Sequence, residues 1–256
     1  MNAASQEHSP DSELLPRFLD RVSEDLRILA RLHDREPDDA LVRELRAIDF
    51  PGSLTLPLDD GAGREACMIM AHALEMLPDK IGQSVLDELA ADYASIYLNH
   101  GVGASPQESV WTDEDGLICQ DSMFQVRQWY QAHGLEVPDW RKRPDDHLVY
   151  QLQFVAHLLM EKETEEALQQ AATFLDEHLL RWLGPFARRV AGRCATPWFA
   201  GAATLTAAYM ESLRDILAEI LQQPRPTPEE IEARMKPKRP VEEVPVAFMP
   251  GMGPVV

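Results

Sequence analysis

An all-α fold is what this sequence predicts, as a single-domain helical bundle, and three observations predict it. Apolar residues recur at helical spacing from residue 11 to about 222. No run of alternating β-branched residues is long enough for a strand. The hydrophobic residues, 45% of the chain, are mostly Leu, Ala, Val, Ile and Met, with only 7% aromatics, a mixture that suits helices.

The elements follow in order. Residues 1–10 read as a flexible N-terminus. In the first helix Leu15, Phe18, Leu19, Val22, Leu26 and Leu29 share one face, with charge opposite. Leu41, Leu45 and Ile48 mark a short second helix, stopped by Pro51-Gly52. Cys67, Met70, Ala71, Leu74 and Leu77 carry a third, ending at Pro78. A fourth runs from about Asp79 through Val85, Leu89 and Tyr93 to Tyr97.

The pattern then breaks over 99–117, NHGVGASPQESVWTDEDGL, a long acidic loop of the sort that often carries function. Met123, Val126, Trp129 and Tyr130 restore helical spacing, with Gly134 as the capping glycine. A second irregular stretch, 135–147, precedes helices through Leu148–Leu159 and Ala167–Trp182. A short helix after Gly184-Pro185 and a long one over 197–222 complete the domain, 11–222. Residues 223–256 are rich in Pro and Gly and read as a mostly disordered tail, with one helical turn near 228–235.

Composition excludes more than it identifies. Asp and Glu total 43 against 24 Lys and Arg, a net charge of −19, so the basic footprint of a nucleic-acid binder is missing. An anionic membrane is disfavoured for the same reason, and the most apolar stretch, 198–210, is too short to span one. The three cysteines lack a C-x-x-C pair and fit buried thiols in a reducing compartment. With no export signal visible at the N-terminus, a cytoplasmic protein is expected.

Enzyme signatures are missing too: no G-x-S-x-G, no phosphate-binding loop, no G-x-G-x-x-G and no H-E-x-x-H. His157 and Glu161 lie four apart, but no third metal ligand has matching spacing. No cofactor and no catalytic residue are expected. One segment stands out, Pro144-Asp145-Asp146-His147 before a strongly apolar helix. N-capping of that helix by Asp145 or Asp146 is the plain reading. A carboxylate and an imidazole there can also grip a cationic partner.

Four ordered segments resemble the TorD/DmsD/NarJ family of redox-enzyme maturation chaperones. Asp92-Tyr93-Ala94-Ser95-Ile96-Tyr97-Leu98 is like the family's D-Y-x-x-L-F segment, and Pro106-Gln107-Glu108-Ser109-Val110-Trp111 like its P-x-x-S-V-[YW] loop. Gln125-Val126-Arg127-Gln128-Trp129-Tyr130 with Gly134-Leu135 is like its L-R-Q-W helix. Pro144-x-Asp146-His147 with Leu152-Gln153-Phe154 is like its E-P-x-D-H-x-x-x-x-L-x-F motif.

The resemblance implies a non-enzymatic chaperone that binds a molybdenum-cofactor oxidoreductase subunit, through its twin-arginine signal peptide, until that enzyme is folded. It implies Tyr97, Pro106, Trp111, Pro144, Asp146 and His147 as peptide-binding residues. Two positions depart from the family: Arg143 replaces the acid before the proline, and Gln107 replaces an aromatic that often follows the loop proline. Glu108 and Asp145 are then expected to supply carboxylates, with Leu152 beside Tyr97 and Trp111 lining the groove. The expected site is a greasy, acid-rimmed cleft where the two irregular stretches meet. A NarJ-like assembly factor for a membrane-bound reductase is the alternative client reading, and a nucleotide or small-molecule binder the alternative class. A monomer, or a domain-swapped homodimer hinged at 135–147, completes the expectation.

Overall fold

The computed structural model describes residues 14–161 and 164–236, and among these residues it contains helices and no strand. The expected N-terminal segment 1–10 and the tail beyond 236 lie outside the described residues.

Helix α1 (Leu14–Asp34) buries the predicted face, with Leu19, Val22, Leu26 and Leu29 inside, and packs along α7 (Leu148–Glu161). Ser23 Oγ ties the pair by donating to Ala156 O at 3.3 Å. Helix α2 (Asp39–Ala47) is capped by Asp38, which accepts from Leu41 N at 2.8 Å. It stops one turn before Pro51: Asp49 takes the left-handed conformation at φ 57°, and Phe50 N bonds back to Leu45 O at 3.0 Å. Helix α3 (Gly61–Met76) packs on α10 (Pro197–Leu221). Their backbones approach closely at Gly201, where an added Cβ would stand 2.8 Å from Met70 Cα.

Helix α4 (Gln83–Tyr93) opens into a wider π turn over Ala94–Leu98. Asp92 caps the start of α10 from there, accepting from Ala195 N, Thr196 N and Thr196 Oγ1 at 3.0, 2.8 and 2.7 Å. The loop 99–117 holds one short helix, α5 (Ser109–Thr112). Helix α6 (Asp121–Ala132) ends as expected at Gly134, φ 69°, with Leu135 N on Tyr130 O and Gly134 N on Gln131 O.

The expected break at Gly184-Pro185 does not occur. Helices α8 (Glu165–Phe174) and α9 (Leu180–Ala191) join through a second π segment, Leu175–Leu179, and α9 runs straight through Pro185. Burial of Trp182, Leu183 and Phe186 on either side outweighs the roughly 3 kcal/mol that an interior proline costs. Past α10, the helical turn expected near 228–235 is α11 (Pro228–Met235), with a Thr227/Glu230 capping box. It lies against the second π segment, with Arg234 near Glu177 at 3.8 Å. Among the described residues no helix is long and apolar enough to cross a membrane. The three cysteines are free and half-buried rather than fully buried.

Candidate functional site

The two irregular stretches meet. Gln107 and His147 form an antiparallel bridge, flanked by Glu108 N on Asp146 O at 3.1 Å and Leu148 N on Pro106 O at 2.8 Å. The loop after α4 and the loop before α7 thus share a two-stranded seam one residue pair wide.

Side chains from the P-x-D-H motif lock this seam, and they do so differently from the expectation of N-capping by an aspartate. Asp146 Oδ2 accepts from Ser109 N at 2.8 Å, so it caps α5 on the opposite loop. His147 serves α7 instead: its ring Nδ1 accepts from Val149 N at 3.2 Å, and its carbonyl accepts from Tyr150 N and Gln151 N. Asp145 turns the other way, taking both Nε and Nη2 of Arg127 at 3.2 and 2.8 Å, while its carbonyl accepts from Tyr130 Oη at 3.0 Å. Geometry settled the capping partner because α5 offered its own free N–H groups within reach of the same carboxylate.

Glu108 sits at the centre, 0% exposed. Its Oε2 accepts from Gln151 Nε2 at 2.9 Å, its Oε1 from His178 Nδ1 at 3.0 Å, and Arg181 stands 3.9 Å away. Asp146 is also 0% exposed, and burial pushes its carboxyl up to about 6, opposed by the hydrogen bonds from Ser109 and reinforced by the charge of Glu108. His147 is held well below the usual imidazole range, first by burial and then by Arg143 nearby, so it is neutral.

Where one cleft was expected, one concavity lies at the seam and another at the end of α5. The first, about 430 Å³, is lined by Tyr93, Tyr97, Leu98 and Tyr150 as its apolar walls, with Gln107 and His147 between them and Pro138, Asp139, Lys142 and Arg143 on the rim. Its rim therefore carries mixed charge rather than acid alone, and Arg143 is already engaged, bonded to Asp34 at 2.5 Å and stacked over Tyr150. The second, about 510 Å³, is strongly acidic, with Asp113, Glu114, Asp115 and Asp121 around Arg181 and Met235.

Tyr97 stands on the first π turn, stacked on Tyr93 with ring centroids 4.7 Å apart. Its hydroxyl shares a 2.5 Å hydrogen bond with His33 Nδ1, whose other nitrogen meets Thr206 Oγ1 at 2.9 Å. Burial pushes His33 down to about 3, so this link is neutral. Trp111 lies half-buried outside the groove, donating Nε1–H to Ser105 O at 2.8 Å beneath the Arg189 guanidinium. Pro106, Pro144 and Leu152 are buried supports of the seam and of α7.

The groove residues that sequence reasoning did not single out are Tyr93, Leu98, Pro138, Asp139, Lys142 and Tyr150. Tyr93 and Leu98 stood inside a quoted motif, and Tyr150 lies three residues after His147, one helical turn along. His178, the partner of Glu108, had no local signal, since it reaches the site only through the second π segment. Among the described residues no group of His, Cys, Asp and Glu could hold a metal ion.

Comparison with known proteins agrees with this architecture. The family model described as nitrate reductase delta subunit matches residues 60–188. A chaperone protein TorD of Vibrio cholerae is 35% identical over 162 residues, covering 60% of this chain and 72% of the relative. A chaperone protein TorD of Vibrio vulnificus is 28% identical over 171 residues, 64% of this chain and 79% of the relative. Chaperone protein YcdY of Escherichia coli is 25% identical over 195 residues, 75% of this chain and 94% of the relative. These relatives are chaperones rather than enzymes, and the family-model match spans both loops of the seam. The chain belongs to the TorD-like family of chaperones, which the nitrate reductase delta subunit model describes.

Proposed function

We propose that this chaperone binds an N-terminal segment of a redox enzyme, a molybdenum-cofactor oxidoreductase subunit carrying a twin-arginine signal, and holds it until the enzyme is folded. The observation that carries the reading is the aromatic groove of Tyr93, Tyr97, Leu98 and Tyr150 beside the loop seam, a surface suited to an apolar stretch of polypeptide. Leu98, 63% exposed at this groove, adds apolar surface that a client side chain can cover.

The division of labour follows from which side chains line the groove. Tyr97 and His147 line the groove and contact the peptide. Pro106, Glu108, Pro144, Asp145, Asp146 and Leu152 act from behind, holding the two loops in register. Exposed carboxylates for arginines come from Glu114 and Asp115 in the acid-lined hollow and, on the groove rim, from Asp139, which Lys142 approaches at 3.7 Å. The chain's net charge of −19 attracts a cationic segment, and the acid-lined hollow is where that attraction concentrates. The protein works in the cytoplasm, where such a segment is made.

Fluorescence anisotropy against labelled peptides, each with an Arg-Arg pair followed by an apolar stretch, tests the reading. Micromolar binding that weakens when the arginines become glutamines is expected. No binding by any such peptide, including the N-terminus of a redox enzyme encoded beside the chaperone, would overturn it. The nitrate reductase delta subunit description suggests a second client of the same class, a nitrate reductase subunit; in that reading the chain is an assembly factor for a membrane-bound reductase, and the bound N-terminus lacks the arginine pair. Binding that ignores the arginines would select it.

A further inference from the structure

Gln107 is 9% exposed, yet its side-chain Oε1 has no hydrogen-bond partner among the described residues. A buried amide left unsatisfied costs about 1–3 kcal/mol, and among the described residues with such an atom Gln107 is the one that lines the groove, so its orphan points to a group that enters there. Directly across the seam stands His147, 5% exposed. Its Nδ1 is occupied as acceptor for Val149 N, which leaves Nε2 carrying the proton as a donor. Both side chains face the aromatic groove.

The spacing of the two is set by the bridge. The hydrogen bonds fall on either side of the 107/147 pair, so this is the close, non-hydrogen-bonded type of antiparallel pair. Side chains so placed lie on one face with Cβ atoms about 5 Å apart. The groove thus presents one neutral acceptor and one neutral donor, side by side, between apolar walls.

In an extended chain, the N–H and C=O of a single residue point to the same side. We infer that Gln107 and His147 together read the main chain of one residue in an extended client segment, Gln107 Oε1 accepting its N–H and His147 Nε2–H donating to its C=O. This rests on the peptide reading above and deepens it. Recognition in the groove is neutral and directed at the backbone, so it accepts many apolar side chains, whereas arginine recognition is left to the exposed carboxylates.

The test uses the full chain and a fluorescein-labelled peptide with an Arg-Arg pair followed by a Leu/Ala-rich stretch, N-methylated at one apolar position at a time. Wild-type protein should bind the parent peptide and lose about tenfold in affinity at one methylated position, because that N–H no longer reaches Gln107. Gln107→Leu should bind the parent about tenfold more weakly and become indifferent to methylation there. Its unfolding midpoint should hold or rise, since an orphaned polar atom is removed. If wild type ignores the peptide, the peptide reading falls and takes this inference with it. If wild type binds but no methylated position matters, or Gln107→Leu responds to methylation as wild type does, this inference alone is overturned.

Discussion

Asp146 Oδ2 accepts the Ser109 main-chain N–H at 2.8 Å, a contact between residues 37 positions apart. A side chain from the loop before α7 thereby caps a helix in the loop after α4. The two halves of the seam cannot separate without breaking this bond and leaving the Ser109 N–H and the Asp146 carboxyl each without its partner.

That carboxyl gives the first prediction. Its folded value of about 6 lies above the ordinary 3.8, with Glu108 the charged group facing it. Between those two values the folded state keeps the proton and the unfolded state loses it, so Asp146 makes stability fall as pH rises through the window and contributes no further change above it. Asp146→Asn retains an acceptor for Ser109 N without the ionisation. Urea unfolding should show the variant gaining on wild type by about 2–3 kcal/mol between pH 4 and pH 7. Parallel pH profiles for the two proteins would contradict it.

Glu108 gives the second. Glu108→Ala takes the partner from His178 Nδ1 and one of the two acceptors from Gln151 Nε2, which keeps only Asp146 O, and should cost about 2–4 kcal/mol by urea denaturation. Glu108→Gln, which keeps one acceptor, should lose less. A change under about 1 kcal/mol in the alanine variant would show that the cluster does not hold the loops.

At the crossing of α3 and α10, Gly201→Ala should destabilise by about 1–3 kcal/mol, because the new Cβ meets Met70 Cα at 2.8 Å and backbone cannot yield as a side chain does. Gly61→Ala, with nothing within 4 Å of its added Cβ, should be neutral or slightly stabilising. Thermal melts of the two variants side by side decide the matter.

For the groove, Leu98→Glu should weaken peptide binding by at least about tenfold while the melting temperature holds, since the side chain is exposed and packs on nothing that folding needs. Unchanged peptide affinity would remove Leu98 from the site.

Much of this protein was already determined one helical turn at a time. Leu19, Val22, Leu26 and Leu29 place the buried face of α1 without reference to any neighbour, and Gly134 ends α6 because the left-handed position there suits glycine. The motif loops were equally legible as irregular segments near a Pro-Asp-Asp-His helix entrance. Long-range partners were not. Whether Asp145 or Asp146 caps α7 depends on what else each carboxylate can reach, and Arg127 and Ser109 come within reach only once α6 and α5 are in place. Pro185 reads locally as a helix breaker, yet the burial of Trp182 and Phe186 carries α9 through it. His178 joins Glu108 across 70 residues. Local periodicity decides which residues turn inward; only the packed chain decides which buried polar group satisfies which, because that choice is a competition among partners that sequence neighbours do not supply.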